Sequence, residues 1–224
     1  MQEWGDLTDA QKTNVLNSMT VDTTYSLTDN RDGQSYNVAK LQDGKVWMAS
    51  DLKLGATSLT QDLTSANTNI ASTVDAATYN SWKHSSTSTN TAGKYVTDNT
   101  YMLYNYYAIS AGTISGDSNT ENATHDICPA GWRLMSLDDI QNIYSLSSYD
   151  TYAELRAAPL SFNMSGYFIN AGIVNTGNEG DYWTSSVAAS AMQMSQFYLR
   201  LRGSAVIFQE QERVQGASAR CVAK

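Results

Sequence analysis

The chain has 224 residues, of which 42% are hydrophobic and 16% are charged, and its formal net charge is −8. It is too apolar for a disordered protein and long enough for one large domain with its own core. A negative chain without clusters of Lys and Arg is unsuited to nucleic acid or to an anionic membrane surface. No stretch approaches the roughly 18 apolar residues of a membrane helix. We therefore expect no nucleic-acid partner and no membrane insertion.

The polar part of the composition is mostly neutral and is accompanied by 14 Tyr and 5 Trp. Such a surface is typical of an extracellular protein that recognises its partner through neutral hydrogen bonds and aromatic rings. The first 16 residues lack the apolar segment of a signal peptide, so we expect this chain, if the protein is exported, to be a mature or excised domain. The two cysteines, Cys128 and Cys221, could be a nucleophile with a resolving partner, two buried small residues or one long-range disulfide. An extracellular or cell-surface location favours the disulfide.

The N-terminal half begins with a predicted short helix over residues 1–20. Alternating residues and turn sequences then predict a three-stranded antiparallel sheet over 22–50. Residues 55–100 are rich in Thr, Ser, Asn and Ala and predict a polar insertion, either a plain surface excursion or a loop that helps to form a binding surface. The aromatic run at 101–108 predicts a buried strand or helix edge, with a carbohydrate platform as the alternative.

The C-terminal half predicts a helix that begins at Ser136, whose side chain can cap the free amides of the first turn. A second short helix is predicted over 151–158 and ends at Pro159. Strands are predicted at 166–170, 181–185 and 217–222. Residues 197–208 predict a hairpin that turns at Gly203 and Ser204.

Several motifs resemble the major paralogous domain of the Fibrobacter succinogenes type. The segment Ile127–Leu134 reads ICPAGWRL, as in that family's signature before a capped helix. The other matching segments are DGQSYNVAKLQDGKVWM at 32–48, YNYYA at 104–108, GDYWTS at 180–185 and GASARCV at 216–222. These motifs occur in the family's order and spacing, and the match extends over residues 28–223. The sequence departs from the family at Met135, where proline is usual, and at Val46, where relatives often have cysteine.

The resemblance implies a single domain over residues 1–224 with a C-type-lectin-like fold, the fold of formylglycine-generating enzymes. This fold is α+β, with antiparallel sheets and two helices. It implies a Cys128–Cys221 disulfide, and the motif residues Trp47, Trp132 and Trp183 should be buried. Some relatives are variable proteins of diversity-generating retroelements, whose C-terminal region is rewritten by adenine mutagenesis. The corresponding candidate variable window here is 186–215.

The function implied is a ligand- or receptor-binding surface protein whose partner is an unknown protein or glycan on a cell or virion. The alternatives are a structural domain that decorates a cell-envelope protein and a formylglycine-generating-type oxidase. Alternation along the hairpin predicts that Phe197, Leu199 and Leu201 point inward and that the binding residues point outward. Those candidate ligand-binding residues are Ser190, Tyr198, Arg200, Arg202, Ser204 and Arg213. The segments Met192–Met194 and Gln209–Glu212 are weaker candidates, because mutated Asn codons cannot encode Met, Gln or Glu.

The chemistry-bearing residues favour binding over catalysis. His84 and His125 fall in polar segments without a GxSxG sequence nearby, so a Ser-His-Asp triad is not expected. Both cysteines lie in scaffold-like motifs, which argues against the oxidase. The motifs of calcium-dependent lectins do not occur in the sequence. We therefore expect no catalytic residue, no cofactor and no metal at the ligand site, while a structural cation held by Asp and carbonyl groups stays open.

Overall fold

A computed structural model describes residues 1–55, 68–69, 94–97, 101–111, 125–169, 172–188 and 195–224. Most of the predicted polar insertion at 55–100 and the candidate residue Ser190 lie outside these ranges, as do the side chains of residues 68–69, 94–97 and 195–197. The described part is α+β, with mostly antiparallel sheets. It contains five helices, more than the two that the resemblance implies: two lie within the helical segment predicted over residues 1–20, and one follows the sixth strand.

The elements follow one another in chain order. The helices are α1 Glu3–Asp6, α2 Asp9–Ser18, α3 Tyr106–Ile109, α4 Leu137–Tyr144 and α5 Tyr152–Arg156. The strands are β1 Thr24–Thr28, β2 Ser35–Lys40, β3 Val46–Met48, β4 Thr68–Asn69, β5 Lys94–Thr97, β6 Tyr101–Tyr104, β7 Asp126–Pro129, β8 Trp132–Leu134, β9 Tyr167–Ile169, β10 Gly172–Val174, β11 Glu179–Val187, β12 Ser195–Arg202, β13 Ala205–Glu212 and β14 Cys221–Ala223. The predicted three-stranded sheet, the capped helix and the hairpin are thus all present.

The largest sheet has five strands in the order β1-β2-β3-β14-β8. The last strand of the chain therefore lies between β3 and β8, which brings the C-terminal segment into the centre of the sheet. The predicted disulfide is confirmed: Cys128 on β7 bonds to Cys221 on β14, with 5.9 Å between their Cα atoms. It closes a loop of 93 residues, for which the chain-entropy model gives a stabilisation of about 4–5 kcal/mol.

Two buried apolar clusters fill the two sides of this sheet. Trp132 and Trp183 belong to one and Trp47 to the other, and all three side chains are fully buried, as predicted. The cap of α4 forms where predicted, since the Ser136 hydroxyl accepts from the Asp139 amide. Burial opposes ionisation of Asp139, but hydrogen bonds from Arg133, Lys45 and the Ser136 backbone prevail and hold the pKa of that carboxyl well below its usual range.

A second sheet of three antiparallel strands, β11-β12-β13, carries the predicted hairpin. Leu199 and Leu201 are buried against the core, as predicted from the alternation. The register places Asp181 opposite Arg200 and Trp183 opposite Tyr198, so these four side chains share the other face. Both turn residues have positive φ, 53° at Gly203 and 70° at Ser204, as a two-residue type I′ hairpin requires.

Candidate binding site

A shallow pocket of about 270 Å³ lies where β9 meets β12 and β13 on the face turned away from Leu199 and Leu201. Two tyrosines, one arginine, one isoleucine and several Gln and Glu residues line it. The lining residues are Tyr167, Ile169, Tyr198, Arg200, Gln209, Glu210, Gln211, Glu212 and Gln215. Strand alternation explains part of this set, because Tyr198 and Arg200 of β12 share a face of the sheet with Gln209 and Gln211 of β13.

Arg200 lies at the centre of this face and is held from behind by two buried carboxylates. Its Nε and Nη2 donate to the two carboxylate oxygens of Asp181 at 3.0 and 2.7 Å. Nε also forms an ion pair with Glu179, whose other oxygen accepts from the Asn175 side-chain amide at 2.8 Å. The guanidinium carbon lies 5.2 Å from the centre of the Tyr167 ring and 5.0 Å from that of Tyr198. Arg200 is therefore fixed in position and its charge is already compensated.

The carboxyl group of Asp181 titrates in an unusual range. Burial raises its pKa to about 6, although the hydrogen bonds and charge of Arg200 act in the opposite direction and the neighbouring Glu179 adds to the rise. Burial is the main physical cause, and the charges of Arg200 and the more distant Arg202 offset it only in part. Asp181 thus changes its charge near neutral pH at the base of the pocket.

Tyr198 is buried, so the prediction that it projects into solvent is wrong. It retains 1% exposure, its ring lies 6.3 Å from that of Trp183, and its hydroxyl accepts a hydrogen bond from the Gln209 side chain. The strand alternation was predicted correctly, but the opposite face of the sheet is also covered, by a second apolar cluster to which Trp183 and Tyr198 belong. An outward position in a strand is solvent-exposed only if no other element covers that face.

The remaining predicted site residues lie in three different environments. Arg202 and Ser204 are exposed at the tip of the hairpin, as expected. The expectation that Arg213 is exposed is wrong: it is 1% exposed, and its guanidinium lies 5.8 Å from the centre of the Tyr106 ring. Arg200 is mostly buried, with 15% of its side chain exposed. The structure therefore brings only Tyr198 and Arg200 of this set to the pocket, and Ser190 lies outside the described residues.

Gln211 is the most unusual side chain of the pocket. It is 5% exposed, and its carbonyl oxygen lies 3.5 Å from Nη2 of Arg200. Its amide nitrogen is buried and donates to no group in the described part of the chain. Because an unpaired buried amide is unfavourable by about 1–3 kcal/mol, this nitrogen is a candidate donor to a bound molecule.

The two carboxylates that hold Arg200 and several lining residues of the pocket were not recognised as candidates from the sequence. Glu179 and Asp181 have the two-residue spacing of one strand face and precede the YW motif, which is the signal that could have identified them. The QEQE segment at 209–212 was considered and ranked low because of codon restrictions, yet all four residues line the pocket. Tyr167 could not have been found this way, because its contact with Arg200 joins strands that are distant in the sequence.

The described ranges contain neither a metal cluster nor a membrane-spanning helix. Those residues contain no group of three or more His, Cys, Asp or Glu side chains placed to hold a metal ion. No helix among them is long and apolar enough to cross a membrane. Comparisons with models of protein families, with curated proteins and with solved structures return no match.

Proposed function

We propose that this chain is a binding module that recognises a protein or glycan at a cell or virion surface through the pocket beside β12 and β13. The observation that carries the proposal is the construction of this face: a fixed arginine, two tyrosines and amide side chains line an open pocket above a sheet whose other face is buried in the core. Such a preorganised polar pocket on a rigid scaffold is typical of recognition sites.

A C-type-lectin-like fold is part of the proposal and follows from the motif resemblance. It is supported by the pairing of the C-terminal strand β14 with β3, which joins the two ends of the domain in one sheet, and by the presence of a second sheet that carries the pocket. An extracellular location is supported by the Cys128–Cys221 disulfide, since such bonds persist in oxidising compartments.

Diversification of the window 186–215 belongs to the same proposal. Arg202 and Ser204 are exposed, as interchangeable positions should be. Tyr198 and Arg213 are buried, so we assign them a structural contribution as well. Sequencing this gene and its neighbourhood in many isolates tests the idea. A reverse transcriptase gene, a near-copy of the 3′ coding end and adenine-linked substitutions within the window are expected; an invariant window would contradict it.

The two alternatives differ from the binding module in what they require of the chain. A domain that only decorates an envelope protein needs no pocket with a preorganised arginine. A formylglycine-generating-type oxidase needs a reactive cysteine pair, whereas both cysteines of this chain are buried in one disulfide at the centre of the scaffold. The pocket therefore favours binding over both alternatives.

The binding function can be tested on arrays of immobilised glycans and peptides. The wild-type chain is compared with a Gln209→Ala, Gln211→Leu double variant, which removes two amide groups from the pocket. Asp138→Asn is the matched control, because Asp138 is an exposed residue on α4 and does not line the pocket. We expect array signals that the control retains and the double variant loses. If signals appear but are the same for all three proteins, the ligand binds outside the pocket; if no protein gives a signal, the decorating-domain alternative is preferred.

A further inference from the structure

A second cavity, of about 340 Å³, lies between α2 and the five-stranded sheet and shares no lining residue with the pocket beside β12 and β13. The sheet contributes the face that carries Tyr25 of β1 and Val38 of β2, which are opposite each other in the register. Val15 of α2 and Met19, the residue that ends this helix, form the opposite wall. The fully buried Trp132 also lines the cavity, which therefore extends from the surface to the core.

α2 covers this face of the sheet without burying any of its own residues. Polar contacts instead tie both ends of the N-terminal helical segment to the sheet. At its start, the Gln2 side chain donates to Asp29, directly after β1, at 2.6 Å. At its end, Nζ of Lys40 on β2 donates to the carbonyl group of Leu16 at 2.8 Å. Because both ends are tied, the space beneath α2 is a fixed part of the fold.

The polar groups around the cavity already have partners within the chain. The ring nitrogens of Trp4 and Trp132 donate to backbone carbonyl groups at 2.9 and 3.2 Å. The Ser18 hydroxyl donates to a carbonyl group of its own helix at 2.7 Å, and the Tyr25 hydroxyl accepts from a backbone amide at 3.0 Å. The Glu3 side chain is 75% exposed and stays in solvent. Water inside the cavity would find few hydrogen-bonding partners, so these walls favour hydrocarbon.

We infer that the cavity binds the hydrocarbon chain of one free, uncharged amphiphile, roughly ten carbon atoms long. The length follows from the volume: a cavity of about 150 Å³ in another protein holds one benzene ring, and this cavity is about 340 Å³. Because it runs beneath a helix to a buried tryptophan, a slender free chain enters it more readily than a segment of another protein. The two longer chains of a membrane lipid exceed its volume. This site is additional to the pocket of the proposed function.

The experiment titrates linear alcohols into the chain labelled with ¹³C at the methionine methyl groups. The probes are 1-hexanol, 1-octanol and 1-decanol, with 1,10-decanediol as a probe of the same length that carries a hydroxyl group at both ends. The methyl group of Met19 reports on the cavity that it lines. Met135 and Met164 belong to the apolar cluster on the other side of the five-stranded sheet, so their methyl groups serve as internal references.

We expect the affinity to rise roughly threefold to fourfold for each added methylene group, because each one leaves water. The diol should bind at least about tenfold more weakly than 1-decanol, because its second hydroxyl is buried without a partner. Val15→Phe and, from the opposite wall, Leu27→Phe should fill the cavity and weaken 1-decanol at least about tenfold. Val21→Phe is the matched control, since Val21 is 42% exposed against 37% for Val15 and does not line the cavity. It should change the affinity less than about twofold, and thermal melts establish that all variants are folded.

Three results would overturn the inference. If no alcohol shifts the Met19 methyl signal, or if the reference methyl signals shift equally, hydrocarbon does not bind in this cavity. If the diol binds as tightly as 1-decanol, the far end of the chain is not buried. If Val21→Phe weakens binding as much as Val15→Phe, the alcohols bind on the surface beside α2. None of these results bears on the proposed recognition function, because the cavity and the pocket beside β12 and β13 share no residue.

Discussion

Arg220 and Arg200 each pair with a buried carboxylate, Asp51 and Asp181 respectively. The Arg220 cluster is closed within the protein, whereas the Arg200 cluster is open to a pocket. Arg220 is fully buried: Nε donates to Asp51 at 2.8 Å, and its two terminal nitrogens donate to the carbonyl groups of Leu160 and Ser161. Asp51 is completed by hydrogen bonds from Asn163 and Tyr182. Arg200 forms a similar pair with Asp181, but beside it lie a pocket and an amide without an acceptor.

The difference shows what separates a structural ion pair from a binding site. At Arg220 every charged atom is satisfied within the protein, and the guanidinium packs 4.2 Å from the centre of the Phe162 ring, so there is no room or need for a ligand. At Arg200 the hydrogen bonding is complete on the buried side only. The four predictions below test this contrast, from the largest expected effect to the smallest.

Arg220→Met should lower the free energy of unfolding by about 3–5 kcal/mol, because it leaves the buried carboxylate of Asp51 without a countercharge. Urea denaturation at pH 7 measures the change. Arg202→Met is the matched control: its side chain is 61% exposed and its ion pair with Glu179 is long, at 3.7 Å, so a loss within about 1 kcal/mol is expected. Equal losses in the two variants would mean that the Arg220 cluster is not the closed structural pair described above.

Tyr198→Ala should destabilise the fold by about 3 kcal/mol, because it opens a cavity beside the Trp183 ring. Tyr198→Phe keeps the packing and loses only the hydrogen bond with Gln209, so it should cost about 1 kcal/mol. Both are measured by chemical denaturation. A Tyr198→Ala variant as stable as the wild type would mean that this position contributes little to folding and is free to vary.

The stability of the open cluster should depend on pH through Asp181. Its pKa is raised to about 6 in the folded chain from an ordinary value of 3.8, so its contribution is fully present below about pH 4 and is lost as pH rises through about 6. The predicted decline is up to about 3 kcal/mol, since each pKa unit corresponds to about 1.4 kcal/mol.

The measurement is urea denaturation at several values between pH 4 and 7 for the wild type and Asp181→Asn, whose side chain does not titrate. The difference between the two curves should vary across this window. Asp139 does not interfere, because its lowered pKa affects stability only as pH falls below about 4. A difference that is constant with pH would show that Arg200 holds Asp181 ionised throughout.

Ser204→Gly should have the smallest effect and the opposite sign. Ser204 has a φ of 70°, which is unfavourable by about 1 kcal/mol for a residue with a Cβ and easily adopted by glycine. We expect an increase in the free energy of unfolding of less than about 1 kcal/mol, measured as a shift in the denaturation midpoint. A loss of stability would mean that the exposed Ser204 side chain contributes to the turn more than its backbone strain costs.

The sequence by itself predicted the local elements of this protein well. Gly203 and Ser204 between two alternating runs predicted the hairpin, and Ser136 before an apolar helical pattern predicted the capped helix α4. The order of the motifs was enough to expect the Cys128–Cys221 disulfide and the buried tryptophans. These features depend on turn conformation, capping and alternation, which act over a few residues, or on a motif order that can be read directly.

Which outward-facing residues reach solvent was decided only by the tertiary structure. Alternation places Tyr198, Arg200 and Arg202 on one face, but Trp183 and Tyr167 cover the first two and leave the third exposed. The unsatisfied amide of Gln211 likewise arises because Arg200 fixes its carbonyl oxygen from a neighbouring strand. Burial and hydrogen-bond satisfaction depend on elements far apart in the chain, so a local pattern fixes the direction of a side chain without determining what it meets there.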